Sequence, residues 1–179
     1  MQPSGPDVGR RRDIVVRRVG PGDWQHVRSV RLRALEESPT AFGSSLAEEE
    51  DLADDDWRAW TRESATFVAY HAGAPVGMAA GVDGEQPDER RLVAAWVDPG
   101  HRRLGAASGL VTAVEHWARE DGAARLTLWV TRSNVAAVDL YRRHGFTGTG
   151  RCKPLPSNPV LTEVLLVLAL EGAGDVAQP

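Results

Sequence analysis

The stretch Val97-Asp98-Pro99-Gly100-His101-Arg102-Arg103-Leu104-Gly105-Ala106-Ala107 decides the fold. Ahead of it, Arg91 to Val97 is an apolar, strand-like run; behind it, Ala106 to Glu120 has helical spacing. Pro99 and Gly100 stop the strand, because proline lacks an amide donor and glycine takes backbone angles that other residues avoid. Gly105, Ala106, Ala107 and Ser108 then open the helix without a bulky side chain. A ligand can approach the first amides of such a helix closely. Those amides have no partner inside the helix and carry the positive end of its dipole. Strand, small-residue turn and helix N-terminus together make a site suited to a phosphate.

Two common phosphate loops are excluded, since neither Gly-x-x-x-x-Gly-Lys-Ser/Thr nor Gly-x-Gly-x-x-Gly occurs here. What remains is Arg102-x-x-Gly105-x-Ala107, with Val97-Asp98-Pro99 just upstream. Downstream stands Asn134-x-x-Ala137-x-x-x-Tyr141-x-x-x-Gly145-Phe146. The two blocks, in this order and at this separation, resemble the signatures of the GNAT superfamily of acyl-CoA-dependent N-acetyltransferases. The first block matches the pyrophosphate loop of that family, (Gln/Arg)-x-x-Gly-x-(Gly/Ala). The resemblance runs from about Asp13 to Leu170. It is strongest in Val97 to Phe146 and weak in the first half, where acceptor specificity is set.

The rest of the chain bounds the reading. Its 179 residues fit one ordinary domain, and 42% hydrophobic content suffices for one core. The reading by segment is a disordered leader at 1–12, a single domain over 13–171 and a disordered tail at 172–179. A net charge of −4 gives no general attraction to nucleic acid or to an anionic membrane. The run Arg10-Arg11-Arg12 reads as a solvated tail in the absence of a recognition motif. Cys152 is the single cysteine, so an intrachain disulfide and a multi-cysteine zinc site are excluded. The histidines show no ligand spacing, and no metal is expected. No secretory segment is visible, which points to the cytoplasm, and the preference for Arg over Lys points to a bacterial source.

Periodicity and punctuation order the elements as β-α-α-β-β-β-α-β-α-β-β. Strands are expected at 14–17, 66–70, 75–80, 91–97, 125–130, from Phe146, and at 161–170. Ala72-Gly73-Ala74 closes a hairpin. Asp23 is placed to cap the first helix, and Ser45 with Glu48 forms a capping box. Asp54 or Asp55 is placed to cap the helix through Trp57 and Trp60. Leu110, Val111, Val114, Trp117 and Ala118 form the core stripe of the helix after the loop. Gly145 closes the next helix, and Pro154 to Pro159 reads as a rigid loop. The resembling family has the same order. Its fold is an α/β (α+β) one: a mixed, mostly antiparallel sheet of about seven strands flanked by helices, with two central strands splayed into a cofactor cleft.

The resemblance implies acetyl transfer from acetyl-CoA to a primary amine by direct attack in a ternary complex, and four requirements follow. The amides of Leu104, Gly105, Ala106, Ala107 and Ser108 are candidates to hold the pyrophosphate, with Arg102 or Arg103 adding charge through a guanidinium fork. The family pairs the pantetheine arm with the strand before the loop, here the backbone of Trp96, Val97 and Asp98; plain core is the other reading of Trp96. Protonation of the leaving sulfur falls to Tyr141, with Asn134 seven residues earlier on the same helical face, toward the cofactor arm. Tyr141 as core filler and Asn134 as a simple cap stay open. The amine must also lose a proton, and Glu36, Glu37, Glu48, Glu85, Glu89 and Glu163 all qualify as the base. Many relatives carry a glutamate beside the strand before the loop, where this chain reads Glu89-Arg90-Arg91-Leu92.

The acceptor is a small molecule or a protein amine. The acidic run Glu48-Glu49-Glu50-Asp51 with Asp54-Asp55-Asp56 is either an electronegative rim that attracts it or a solvated helix face. Homodimers are common among proteins of this type. The alternative class is a non-catalytic acyl-CoA-binding module of the same fold, for which Tyr141 has no purpose.

Overall fold

The computed structural model describes residues 14–170. The expected leader, Arg10 to Arg12 and the tail lie outside the described residues. The elements are β1 (Ile14–Arg18), α1 (Trp24–Glu37), α2 (Leu46–Glu49), α3 (Asp54–Glu63), β2 (Ala65–His71) and β3 (Ala74–Asp83). There follow β4 (Glu89–Val97), α4 (Ala106–Glu120), β5 (Arg125–Thr131), α5 (Val135–Arg143), β6 (Thr147–Leu155) and β7 (Asn158–Ala169). They build one sheet in the order β1-β2-β3-β4-β5-β7-β6. Every neighbouring pair is antiparallel except β4 with β5, which the α4 crossover makes parallel.

Apolar residues fill both faces of the sheet. On one, Leu110, Val111 and Val114 of α4 pack with Leu126, Leu128, Tyr141 and Phe146. On the other, Val27, Val30 and Leu35 of α1 pack with Trp57, Val68 and Met78. Contact between α4 and the sheet is close at Gly81, where an added Cβ would stand 2.1 Å from the Trp117 ring. The β2–β3 hairpin turns on Ala72 and Gly73, with φ of +48° and +81°. Positive φ at both central residues suits the twist of the flanking strands.

The site depends on one departure from regularity. β4 and β5 pair only at Glu89–Arg125, Arg90–Leu126 and Arg91–Thr127, and then part. The bulge that turns β4 away is visible in its other pairing, where the register shifts between Met78 and Ala80, and Ala94 takes φ +55°. Beyond Arg91 the two strands enclose a wedge.

Three local expectations are corrected, and a fourth, Asp23 at the N-cap of α1, is met in position only. The proline-rich segment 154–159 is not a loop: β6 runs to Leu155, β7 starts at Asn158, and only Pro156 and Ser157 turn. β6 is the edge strand, and the β5–β7 pairing ends at Glu163, so neither Pro154 nor Pro159 interrupts a ladder on both sides. Asp23 occupies the N-cap of α1 but makes no cap hydrogen bond; its carboxylate accepts from Gly20 N–H at 3.3 Å. α3 is capped by neither Asp54 nor Asp55, since Ala53 is the N-cap and Asp56 accepts from its amide at 2.9 Å. The acidic run is not uniformly a face or a rim. Glu49 is buried and accepts from Arg31 at 2.7 and 2.9 Å. The expected Ser45–Glu48 capping box is present.

Candidate active site

Gly105 stands at the N-cap of α4 with φ +91°, a left-handed conformation that a residue with a Cβ reaches only at a cost. Nothing lies within 4 Å of the place a Cβ would take, so the space over the helix end is open. Ala106 is buried beneath it and Arg103, at φ +65°, is exposed above it. The amides of Ala106, Ala107 and Ser108 belong to the first turn, which a helix leaves without internal acceptors. The two arginines are not equivalent. Arg102 donates through Nε to the Val97 carbonyl at 3.0 Å and through Nη2 to Glu37 at 2.9 Å. Arg103 has no ion-pair partner among the described residues.

Of the three expected pantetheine contacts, two have backbone groups already engaged: Val97 through that carbonyl, and Asp98 through its amide, which donates to Val76 at 2.8 Å. Trp96 is buried and donates Nε1–H to Glu37 at 3.0 Å, so its side chain is core with one polar tether. The stretch of β4 without a β5 partner is residues 92–97.

The wedge itself holds a narrow cavity of about 60 Å³ lined by Leu92 to Ala95, Trp129 to Thr131, Ala41, Phe42, Asn134, Ala137 and Tyr141. Asn134 and Tyr141 are thus brought to one cavity. Asn134 also caps α5, its side-chain oxygen accepting from Ala137 N–H at 3.2 Å. Burial pushes the Tyr141 hydroxyl up to about 12, so it stays protonated throughout the neutral range. On the mouth side, a cavity of about 240 Å³ shares Ala41, Thr131 and Asn134 and adds Glu37 to Thr40. On the far side, a cavity of about 360 Å³ shares Phe42, Leu92 to Ala94 and Trp129 and adds Arg31, Trp60, Arg91 and Glu163. A cavity of about 450 Å³ lies outside α5 against β6 and β7 and shares no residue with the wedge.

A roof spans the wedge. α1 is tied to the β4 side by Arg33 to Asp98 at 3.0 Å and by Glu37 to Trp96 and Arg102. The loop after α1 is tied to the β5 side, where Thr131 donates to the Thr40 carbonyl at 2.9 Å. Below, α5 is locked to α4 by a chain that the sequence reading missed. His144 bridges Glu115 at 2.9 Å and the Ser108 hydroxyl at 2.8 Å. Ser108 and Glu115 lie on α4 and His144 is the C-cap of α5, at positions with no motif spacing.

The carboxylates separate by position. Glu36 is exposed, Glu48 is spent on its capping box, and Glu85 faces Arg91 and Arg151. Glu89 sits at the closed end of the wedge and accepts from Thr127 at 2.9 Å. Glu163 lines the far cavity, and burial raises its carboxyl above the usual range.

Residues 31–146 match the family model described as the acetyltransferase (GNAT) family. The chain belongs to that family. Among curated relatives, streptothricin acetyltransferase of Streptomyces lavendulae is 37% identical over 89 residues, 49% of this chain and 47% of that protein. N-acetyltransferase 8 of Homo sapiens is 33% identical over 94 residues, 50% of this chain and 41% of its own length. The chain thus spans about half the length of the curated relatives it matches. The fold is that of solved GNAT proteins. A putative acetyltransferase from Salmonella typhimurium, solved with acetyl-CoA, superposes with a TM-score of 0.74 at 19% identity, over 93% of this chain and 99% of that one. A GNAT-family acetyltransferase from Streptococcus pneumoniae gives the same score and identity over 88% and 99%. Among the described residues of this GNAT protein, no helix is long and apolar enough to cross a membrane.

Proposed function

We propose that this protein transfers the acetyl group of acetyl-CoA to a primary amine by direct attack. One observation carries the reading: Tyr141 and the cap residue Asn134 line one wedge between β4 and β5, and Glu37 at its mouth is bonded to Arg102 of the turn ahead of α4. The chemistry of the donors fits the thioester. Amides of Leu104 to Ser108 and the exposed Arg103 suit a pyrophosphate, and Gly105 leaves the approach clear. Residues 92–97 have no β5 partner on the wedge side, which suits an amide-bearing arm, although Arg102 already occupies the Val97 carbonyl. Acetyl-CoA, when bound, supplies the activated acyl carbon and a thiolate leaving group.

Tyr141 then acts as the acid. A thiol has a reference pKa of about 8.5, so a phenol held protonated can give its proton to the departing sulfur. The roof made by α1 and the loop after it bounds the acceptor side. Streptothricin acetyltransferase by its name acts on streptothricin, and for this chain a small-molecule amine is one candidate acceptor and a protein amine another. A non-catalytic acyl-CoA-binding module would leave the Tyr141 hydroxyl without a task. The test is to titrate the purified protein with acetyl-CoA by calorimetry, then follow free thiol with a panel of primary amines. Binding with amine-dependent thiol release supports the reading, and absence of binding overturns it.

A further inference from the structure

Glu163 sits on β7 where its pairing with β5 ends, opposite Thr131 of β5 and Lys153 of β6. A carboxylate there is costly unless something needs it. Its side chain is 9% exposed, and its one cationic neighbour within 4 Å among the described residues is Lys153, with Nζ 3.7 Å from Oε2. That distance is too long for a hydrogen bond. The carboxylate lines the cavity of about 360 Å³ that shares Phe42, Leu92 to Ala94 and Trp129 with the wedge. Tyr141 lines the wedge and Glu163 the neighbouring cavity, with those residues as their common wall.

Lys153 shows what the far end accepts. It is the only lysine of the chain. Its ammonium lies 4.4 Å from the centre of the Trp129 ring, a cation held by an aromatic face and a carboxylate together. Its side chain is 42% exposed, so it can swing aside. A primary alkylammonium arriving from solvent meets the same ring and the same carboxylate.

We propose that Glu163 is the catalytic base for a primary alkylamine acceptor, which takes the place that the Lys153 ammonium now holds. The inference rests on the acetyltransferase reading. The ammonium gives one proton to a Glu163 oxygen, and its freed lone pair forms the N–C bond. The C–S bond breaks, and its electron pair leaves on sulfur, which takes the Tyr141 proton. The second proton of the nitrogen replaces, through solvent, the one Tyr141 gave, and Glu163 then releases its proton to solvent, so one proton is set free per acetyl transferred. Burial raises the Glu163 carboxyl, which makes its carboxylate the better proton acceptor. The charged groups that lie within 4 Å of it or line its cavity are Lys153 from β6, Arg31 from α1, which is bonded to Glu49, and Arg91 from β4; β5 contributes Trp129 and Thr131, which carry no charge.

The test uses the full chain, acetyl-CoA and cadaverine, whose amine ends match a lysine side chain. Glu163→Gln should lower kcat/KM about 100-fold near neutral pH, with acetyl-CoA affinity unchanged. The deficit should shrink as pH rises toward the amine's own pKa of about 10.4, because more acceptor then arrives neutral. Lys153→Met, which keeps the stem and removes the charge, should lower KM for cadaverine severalfold. Wild-type protein that binds acetyl-CoA but acetylates neither cadaverine nor spermidine overturns the proposal alone. So does a Glu163→Gln deficit that is absent or constant across pH. Failure to bind acetyl-CoA overturns the wider acetyltransferase reading, and this one with it.

Discussion

Arg102 and Glu37 are 65 residues apart in sequence and meet at the mouth of the wedge, Nη2 to Oε2 at 2.9 Å. The same carboxylate accepts from the indole of Trp96 and from the Ser38 hydroxyl, so one side chain at the end of α1 gathers the loop after β4. Ser38, then Trp96 and Arg102, hold the Glu37 carboxyl below its ordinary value of 4.5. Its contribution to stability is therefore present above that value and lost as pH falls through the lower native one. Glu37→Ala should cost about 1 kcal/mol, because an exposed ion pair is worth little and the buried indole donor loses its partner. Urea unfolding at neutral pH and near pH 3 checks both parts. Equal losses in the variant at the two pH values would contradict the linkage.

Gly105→Ala places a Cβ on a residue at φ +91°. The strain is about 1–2 kcal/mol, expressed as lower stability, as a shifted turn, or as both. If the α4 amides hold the pyrophosphate, acetyl-CoA affinity should fall by roughly tenfold, measured by calorimetry. Unchanged affinity in a folded variant would move the phosphate elsewhere.

Tyr141→Phe removes the proposed acid and leaves the ring. The kcat for the acceptor should fall by about 10²- to 10⁴-fold with acetyl-CoA affinity retained. A second readout is independent of turnover. The native hydroxyl titrates at about 12 against an ordinary 10.0, so the folded state holds its proton longer than the unfolded one. Wild-type stability should therefore fall relative to the Phe variant from about pH 10 upward, by roughly 1.4 kcal/mol per unit of difference. Parallel stability curves in that range would show the hydroxyl to be less buried than this geometry gives.

Arg31 and Glu49 form a buried bidentate pair that fastens α2 to α1, with Ser44 donating to the same carboxylate. Removing one partner strands the other charge in the interior. Glu49→Ala should lose about 3 kcal/mol or more in chemical unfolding, well beyond an exposed pair. A loss below about 1 kcal/mol, the range of exposed pairs, would mean that water reaches Arg31.

Glu163→Gln should be more stable than wild type at neutral pH. Burial raises the native carboxyl above 4.5, so the neutral form is the one the fold prefers. Wild-type stability is then full below the unfolded pKa and drains as pH rises through the native one. Thermal melts near pH 4 and pH 7 should show the gap opening toward pH 7. A Glu163→Gln protein less stable than wild type at pH 7 would make Lys153 a net stabiliser of the carboxylate.

Much of this was legible in the chain. The α4 turn announces itself because its constraints are local: Gly105 takes a conformation set by its own backbone, and the first turn of any helix lacks acceptors. Asn134 and Tyr141 share a cavity because helical spacing alone puts them on one face. The strand order along the chain and the capping box at Ser45 follow equally from neighbours in sequence. Pro154 to Pro159 misled because proline's cost in a strand depends on whether a ladder lies alongside, and that depends on which strand is the edge. Likewise, six carboxylates all qualified as the base and none could be chosen, though Glu163 stood out in an otherwise apolar strand, since burial and partners come from distant segments. Only the packed fold puts Glu89 at the closed end of the wedge, Glu37 at its mouth and Glu163 inside the far cavity. The Gly105 turn and the family could be read from residues in order, because both rest on short-range stereochemistry. Which charged groups face the wedge could not, because that depends on contacts between residues far apart in the chain.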